Sequence, residues 1–405
     1  MREKLIKSST TSFMRPEEKN MRDEQNVLMA SSVHTWSDAR IYSKEAKSLA
    51  NNGKNVTFMA IDSNVPKESI THLHMIYLTK KGRLLRFMNW FKIYAEMKNS
   101  TNKYFHFHDP ELLFVAFALR LKLKKEIIII YDMHEHLPSA IRTKEWIPSK
   151  IRRPLSFITK KVEKLLIRAC DCILFAEESY KKEYTDCYLL KEDIYNYPTV
   201  ELPTDISLKT LEKETFDLIY VGALTEQRGL FNMLHLIDYL HQQKENRYHL
   251  HLVGDMNTDK DAVQHFVSEH NLESVVHIYG RKKYEELWTL YHYADIGLCL
   301  LHPTPNNVNS KSTKLFEYMA AFLPILASDF PIYHFIEENR CGFTENINDY
   351  SALYQKIKCI EENEQLSSEL TANGRRLYES QYSWKNEERK LLTIYTKFKE
   401  AYYEF

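Results

Sequence analysis

The sequence predicts an α/β protein built as two Rossmann-like domains, with parallel sheets facing a cleft. Three observations predict it. The chain has 405 residues, more than one ordinary hydrophobic core organises. From about residue 26 onward, short apolar runs of strand length alternate with segments of helical spacing, the pattern of repeated βα units and hence of parallel sheets covered on both faces. The alternation stops once, over the polar and weakly periodic residues 199–216 that include Pro203, and then restarts. The expected organisation is a flexible leader at 1–25, an N-terminal Rossmann-like domain at 26–200, a C-terminal Rossmann-like domain at 201–380, and a C-terminal helix at 381–405 that returns toward the first domain.

Taken in order, Asn26–Ser31 reads as the first strand. Asp38–Asn51 has helical spacing and ends at Gly53, a plausible cap. Val56–Ile61 and His72–Leu78 read as strands, Arg83–Lys98 as a helix, and Tyr104–His108, Ile127–Tyr131 and Cys172–Ala176 as further strands. Ile194–Tyr197 reads as a last short strand before Pro198. After the linker, strands are expected at Leu218–Val221, His249–Val253, Val275–Tyr279, Ile296–Leu301 and Ile325–Ser328. Helices are expected at Gly229–Gln242 and Lys311–Ala321, and the tail from about 350 to 403 is helical.

The bulk composition narrows the class. Hydrophobic residues make up 44% and charged residues 27%, as in a globular protein. No run approaches the ~18–20 apolar residues of a membrane span. The polar first ~25 residues lack the apolar centre of a signal peptide. The expectation is a cytoplasmic protein, and the six scattered cysteines, without a CxxC pair, read as reduced, buried thiols. Net charge is zero, but residues 1–200 hold 34 Lys and Arg against 24 Asp and Glu, leaving 21 against 31 for residues 201–405. A basic first half suits an anionic surface or substrate. Lys80–Lys98 and Arg142–Arg168 mix basic residues with aromatic and aliphatic ones (Trp90, Phe91, Trp146, Phe157), as an interfacial helix on anionic lipid does. Amphipathic helices packed on a sheet have the same pattern. No nucleic-acid motif is present.

The residues that carry chemistry follow strands. Gly222 ends one, and Arg228-Gly229 opens the next helix. Glycine lets backbone approach a ligand, a helix N-terminus favours anions, and arginine offers a fork to a diphosphate. Lys314 and Glu317 are three apart and share a helical face. Asn309, Ser310, Ser312 and Thr313 precede them and the buried strand at 325 follows. The pair suits a nucleotide-sugar: the cation for the diphosphate, the carboxylate for ribose hydroxyls. In the first half, His106-Phe107-His108-Asp109-Pro110-Glu111 and Asp132-Met133-His134-Glu135-His136 each follow a strand. Their spacing is not that of H-E-x-x-H and no cysteine joins them, so no metal is expected and contact with the reacting sugar or acceptor is preferred. His34, Asp38, Arg40 and Lys44 cluster after the first strand. The G-x-G-x-x-G that a dinucleotide site needs there is missing.

Together these strings resemble the family 4 retaining glycosyltransferases of the GT-B fold, in particular the bacterial surface-polysaccharide branch. The resemblance runs from about Val27 to Trp384. His34-x-x-x-Asp38-x-Arg40-Ile41-x-x-Lys44-Glu45-Ala46, Phe107-His108-Asp109-Pro110-Glu111-Leu112-Leu113 and Tyr131-Asp132-Met133-His134-Glu135 are similar to its first-domain motifs, and Asn196-Tyr197-Pro198 to the segment closing that domain. Tyr220-Val221-Gly222 with Arg228-Gly229 is similar to its phosphate loop, and Lys314-Leu315-Phe316-Glu317-Tyr318-Met319-Ala320-Ala321 to its donor helix.

The resemblance implies transfer of a sugar from a nucleoside diphosphate sugar to a glycan or lipid-linked acceptor, with retention and without a cofactor or metal. By position it implies catalytic roles for His134, Arg228 and Glu317. Donor contacts would come from Gly222, Arg228, Asn309, Lys314, Leu315 and Glu317, and acceptor contacts from His34, Asp38, Arg40, His108, Asp109 and Glu135. A GT-B sugar-nucleotide epimerase and a degenerate transferase serving as a complex subunit stay open. Three positions depart from the family: Asn309 replaces a glutamate, Ala223 replaces a frequent arginine, and Phe322 stands where glycine is expected.

Overall fold

The computed structural model describes residues 22–65, 69–83, 85–143, 147–185, 189–199, 213–244, 246–305 and 307–403. The leader expected at 1–25 and the linker expected at 199–216 fall largely outside these residues, as does Trp146. The chain divides into two compact units. One takes the described residues up to 194 together with those from 391 onward; the other takes 195–390. The C-terminal helix Trp384–Tyr403 is thus shared, its last part belonging to the first unit.

The first unit holds seven strands: β1 (Asp23–Thr35), β2 (Asn55–Ile61), β3 (Leu73–Leu78), β4 (Asn102–Phe107), β5 (Ile128–Met133), β6 (Cys172–Phe175) and β7 (Leu190–Asp193). Their order is β3-β2-β1-β4-β5-β6-β7, every pair parallel. β4 and β5 are buried along their whole lengths, as apolar strands covered on both faces must be. The second unit holds β8 (Phe216–Val221), β9 (Tyr248–Val253), β10 (Val276–Gly280), β11 (Ile296–Cys299), β12 (Ile325–Ser328) and β13 (Gly342–Glu345), in the order β10-β9-β8-β11-β12-β13, again parallel.

In each unit the strand order reverses once, between β1 and β4 and between β8 and β11. Loops leave in opposite directions there and open a crevice beyond the carboxyl ends of the strands. All the sequence motifs lie at or near these two points.

Two strand expectations are corrected. Residues 194–197 form no strand; the last strand of the first sheet is β7. The ladder ends with the Ile194 amide, which donates to Phe175 O (3.0 Å); the chain then leaves the sheet, and the Tyr195 amide donates to the Glu387 carboxylate (2.9 Å). β13 was not foreseen: its four residues, GFTE, contain no apolar run. The helix expected from Asp38 begins at Ile41 with a wide turn, Ile41–Ala46, and continues as Lys47–Asn51. Among the described cysteines, Cys170, Cys172, Cys299 and Cys341 are buried and Cys359 is exposed, so burial is not general. No described helix is long and apolar enough to cross a membrane.

Candidate functional site

In the second unit one candidate cluster is built around β8 and β11. β8 ends at Val221, and Gly222 turns the chain with φ +148°, a region that favours glycine. A side chain there would meet the Tyr220 hydroxyl at 3.1 Å and Arg228 Nη1 at 3.3 Å, so the guanidinium lies directly over the Gly222 backbone. Gly229 is still more constrained: at φ +74° an added Cβ would sit 1.7 Å from Leu300 O, in the loop after β11. Absence of a side chain lets the N-terminus of the helix Leu230–Gln243 close onto that loop. Thr225 steadies the turn, its Oγ1 accepting from the Arg228 amide (3.2 Å). The Arg228 side chain itself is exposed.

Opposite this loop lies the helix Thr313–Ala320. Tyr318 fixes it to the sheet by donating from its hydroxyl to Leu298 O (2.9 Å), next to Ile219 O at 3.4 Å. Lys314 is 5% exposed; its Nζ donates to Ser312 Oγ (3.1 Å) and lies 4.9 Å from the centroid of the Tyr220 ring. Lys314 lies against the Tyr220 ring, and Arg228 Nη1 and the Tyr220 hydroxyl flank the same side of Gly222, so both cations come to the end of β8. Glu317, one helical turn further, is half-buried, and its Oε2 accepts from the hydroxyl of fully buried Tyr291 (2.7 Å). Two cations and an oriented carboxylate thus gather at a switch point beside a helix N-terminus, the chemistry that binds a polyanion carrying hydroxyl groups.

Two donor candidates stand differently. Leu315 is completely buried, so its side chain belongs to the core and only its backbone is left for a ligand. Asn309 is exposed and its Nδ2 donates to Pro305 O (2.7 Å). Asn307, which sequence reasoning missed, ties this loop to the Arg228 turn by donating to His302 O (2.9 Å) and Gln227 O (3.3 Å). Tyr291 was missed as well: it lies 26 residues before Glu317, and nothing in the local sequence marks it as its partner.

In the first unit a separate cluster centres on Asp132, at the end of β5 and completely buried. Arg40 forks onto it, Nε to Oδ2 at 3.0 Å and Nη2 to Oδ1 at 2.7 Å. His108 Nδ1 (3.1 Å) and His134 Nε2 (2.7 Å) both donate to Oδ2. Glu45, also fully buried, lies 3.0 Å from Arg40 Nε and 3.6 Å from His106 Nε2, and the other nitrogen of His106 hydrogen-bonds with Tyr395 (3.0 Å).

The two carboxyls are driven apart. Burial alone would raise Asp132, but Arg40, His134 and His108 more than reverse this and hold it well below the usual carboxylate range. Burial, with Asp132 as neighbour, pushes Glu45 well above that range. The surroundings thus favour the charged form of Asp132 and the protonated form of Glu45. Burial likewise lowers His106 and His108, which stay neutral. Glu45, His108, Asp132 and His134 bring ligand atoms within 4.8 Å of one another, the spacing of a cation site. The Arg40 guanidinium already forks onto Asp132.

Around this buried centre sits a more open set. Asp38 Oδ1 accepts from the amides of Arg40 and Ile41 (2.9 Å each), which starts the helix there, while Oδ2 faces His34 Nδ1 at 3.3 Å. That hydrogen bond leads the causes that raise the His34 pKa. His34 meets His134 edge to face, 5.4 Å between ring centroids. Glu135 is exposed. Asp109 is 2% exposed and is bound by Ser31 Oγ (2.9 Å) and the amides of Ser32 (2.5 Å) and Val33 (3.2 Å). Of the six acceptor candidates, Arg40, His108 and Asp109 are thus buried supports. His34, Asp38 and Glu135, with His134, reach toward solvent.

Comparison with known proteins agrees with this architecture. Residues 204–377 match the family described as glycosyl transferases group 1. The chain therefore contains a glycosyl transferases group 1 domain, the class that the second unit's fold and site define. Among solved structures, a sucrose-phosphate synthase from Thermosynechococcus elongatus is similar (TM-score 0.65, 18% identity, covering 93% of this chain and 100% of that one). So is Anabaena HepE, solved in complex with UDP (TM-score 0.66, 12% identity, 92% and 99%). A glycosyltransferase from Rickettsia africae is similar as well (TM-score 0.66, 15% identity, 92% and 98%). At these identities the likeness is one of fold: two Rossmann-like units of the GT-B type. No curated protein matches the sequence.

Proposed function

We propose that the protein is a retaining glycosyltransferase of family 4 that moves a sugar from a nucleoside diphosphate sugar to a glycan or lipid-linked acceptor during synthesis of a cell-surface polysaccharide. It would act at the cytoplasmic face of an anionic membrane. The observation that carries this reading is the placement of Arg228 and Lys314 around Tyr220 and Gly222 at the end of β8, with Glu317 oriented by Tyr291 on the same helix as Lys314, inside a glycosyl transferases group 1 domain. The complex of HepE with UDP supports a uridine nucleotide as the first donor to test.

In this reading the diphosphate lies on the N-terminus of helix Leu230–Gln243, over Gly222. Arg228 and Lys314 neutralise the charge that grows on the leaving phosphate, where preorganised donors act most strongly. Glu317 accepts from the ribose hydroxyls. His134, oriented by Asp132, meets the transferred sugar and the acceptor hydroxyl with His34, Asp38 and Glu135. Retention by front-face attack, with leaving-group oxygen taking the acceptor proton, needs no protein nucleophile. No metal or cofactor enters the proposed reaction.

A thermal-shift screen against UDP, GDP and their sugars tests the donor site, because a ligand that binds only the folded chain raises its midpoint. Product analysis with the stabilising sugar nucleotide, with and without acceptor, follows. No stabilisation by any of them, or conversion of the donor without an acceptor, would overturn the reading.

A further inference from the structure

Three helices of the first unit form one layer. The connections β3 to β4, β4 to β5 and β5 to β6 all step the same way across the sheet. Right-handed crossovers therefore put their helices, Phe87–Asn99, Leu113–Leu123 and Ser149–Leu166, on the same face. Trp90 and Phe114 stack between the first two, with centroids 5.8 Å apart and planes at 12°.

The third helix reverses much of the usual pattern. Toward the protein it buries Ser156 and Glu163, with Leu166 in its last turn. Ser156 Oγ donates to Pro138 O (2.7 Å), and Glu163 Oε2 accepts from the Tyr184 hydroxyl (2.9 Å). These buried polar bonds fix its orientation. Toward water it presents Ile151, Leu155, Ile158, Val162 and Leu165, each between 38% and 57% exposed. Their spacing of four and three in alternation makes one straight stripe. The neighbouring helices also expose apolar side chains: Phe91, 68% exposed, and Phe117 and Leu121, 40% and 67% exposed. Large apolar side chains left open along a whole helix mark an interaction surface.

The exposed charges on the three helices are basic, although Lys160 pairs with exposed Glu183. Lys92, Lys122, Lys150, Arg153 and Lys161 are exposed on these helices, and the single acid of the third helix, Glu163, is buried on the inner side.

We propose that this three-helix layer docks on an anionic lipid bilayer, its apolar side chains entering the headgroup–acyl boundary and its lysines and arginines meeting lipid phosphates. A second copy of the chain fits less well: a two-fold contact would set Lys150, Arg153 and Lys161 against themselves. The inference rests on the proposed function for its purpose, access to a membrane-borne acceptor, and on these residues for its evidence. It also adds the helix Leu113–Leu123, which lay outside both segments singled out in the sequence.

The test is flotation of the full chain with vesicles of phosphatidylcholine alone or with about a third phosphatidylglycerol. The expected result is binding to the anionic vesicles, weakened by salt, and a loss of at least about tenfold in the double variant Phe157→Ser, Ile158→Ser. Far-UV circular dichroism and the UDP-induced thermal shift should be unchanged by the variant. Equal binding by the variant, no binding to anionic vesicles, or a dimer in solution that the two substitutions dissolve would each overturn the docking proposal. Retained transfer to a soluble acceptor alongside such a result would leave the proposed function standing.

Discussion

The guanidinium of Arg375 lies 5.0 Å from the centre of the Phe322 ring and donates from Nη1 to Ala320 O at 2.7 Å. Phe322 occupies the position where the family pattern expects glycine, and its backbone shows why: φ is +57°, the left-handed conformation that ends a helix. A side chain in this region costs about 1 kcal/mol relative to glycine. Arg375 offsets part of that through the ring, typically about 0.5–1 kcal/mol, and satisfies a carbonyl at the end of the donor helix. Phe322→Gly is therefore expected to change stability by no more than about 0.5 kcal/mol. Arg375→Ala should cost about 1–2 kcal/mol. A double-mutant cycle by urea denaturation should find Arg375→Ala less costly when glycine is at 322.

Removing Glu317 or Arg228 should abolish transfer while leaving the fold intact. Glu317→Ala and Arg228→Ala should match the wild-type circular dichroism spectrum and show loss of product. Wild-type turnover by both, across candidate donors, would refute the donor assignment.

Tyr291→Phe should act more gently and more specifically. It removes the bond that orients Glu317, a hydrogen bond to a charged group worth about 1.5–3 kcal/mol. Nucleotide affinity measured by calorimetry should fall about tenfold or more, while the pH profile of turnover stays unchanged.

The first unit's centre separates support from chemistry. His134 is half-buried and touches Asp132 from the open side. His134→Ala should keep the fold and lower turnover about a hundredfold or more. Asp132→Ala removes the carboxylate that the buried Arg40 forks onto and should cost about 3–5 kcal/mol, read as a fall in the thermal midpoint before any assay of activity.

Glu163 predicts a pH dependence of stability. Burial pushes its carboxyl from an ordinary 4.5 up to about 7. A group whose pKa is higher folded than unfolded binds its proton more tightly when folded. Its stabilising contribution is complete below 4.5 and is lost as pH rises through 7, by about 3 kcal/mol at most. Glu163→Gln should flatten the fall in thermal midpoint over that interval. An unchanged slope would show that this carboxyl does not cause it.

The legible part of this protein was local and periodic. The strand β12 was placed to the residue at 325–328, and most others within two or three residues, because buried parallel strands are short apolar runs set between polar turns. β13 was missed for the same reason: GFTE has no such run and exists as a strand only because β12 pairs with it. The segment 194–197 looked like a strand locally, but its pairing with β6 stops at the Ile194 amide.

Among the site residues, the sequence by itself named the groups but not their tasks. Lys314, Glu317 and Arg228 could be read as donor ligands because a strand end, a helix start and a shared helical face follow from spacing alone. Tertiary structure decided which residues are exposed enough to touch a ligand. It turned Arg40, His108 and Asp109 into buried supports and made Tyr291 the partner of Glu317. It also turned the apolar side of Ser149–Leu166 outward, although an amphipathic pattern looks the same whether its apolar side meets a core or a bilayer. Spacing fixes which side chains share a face; only packing between distant segments fixes what that face meets.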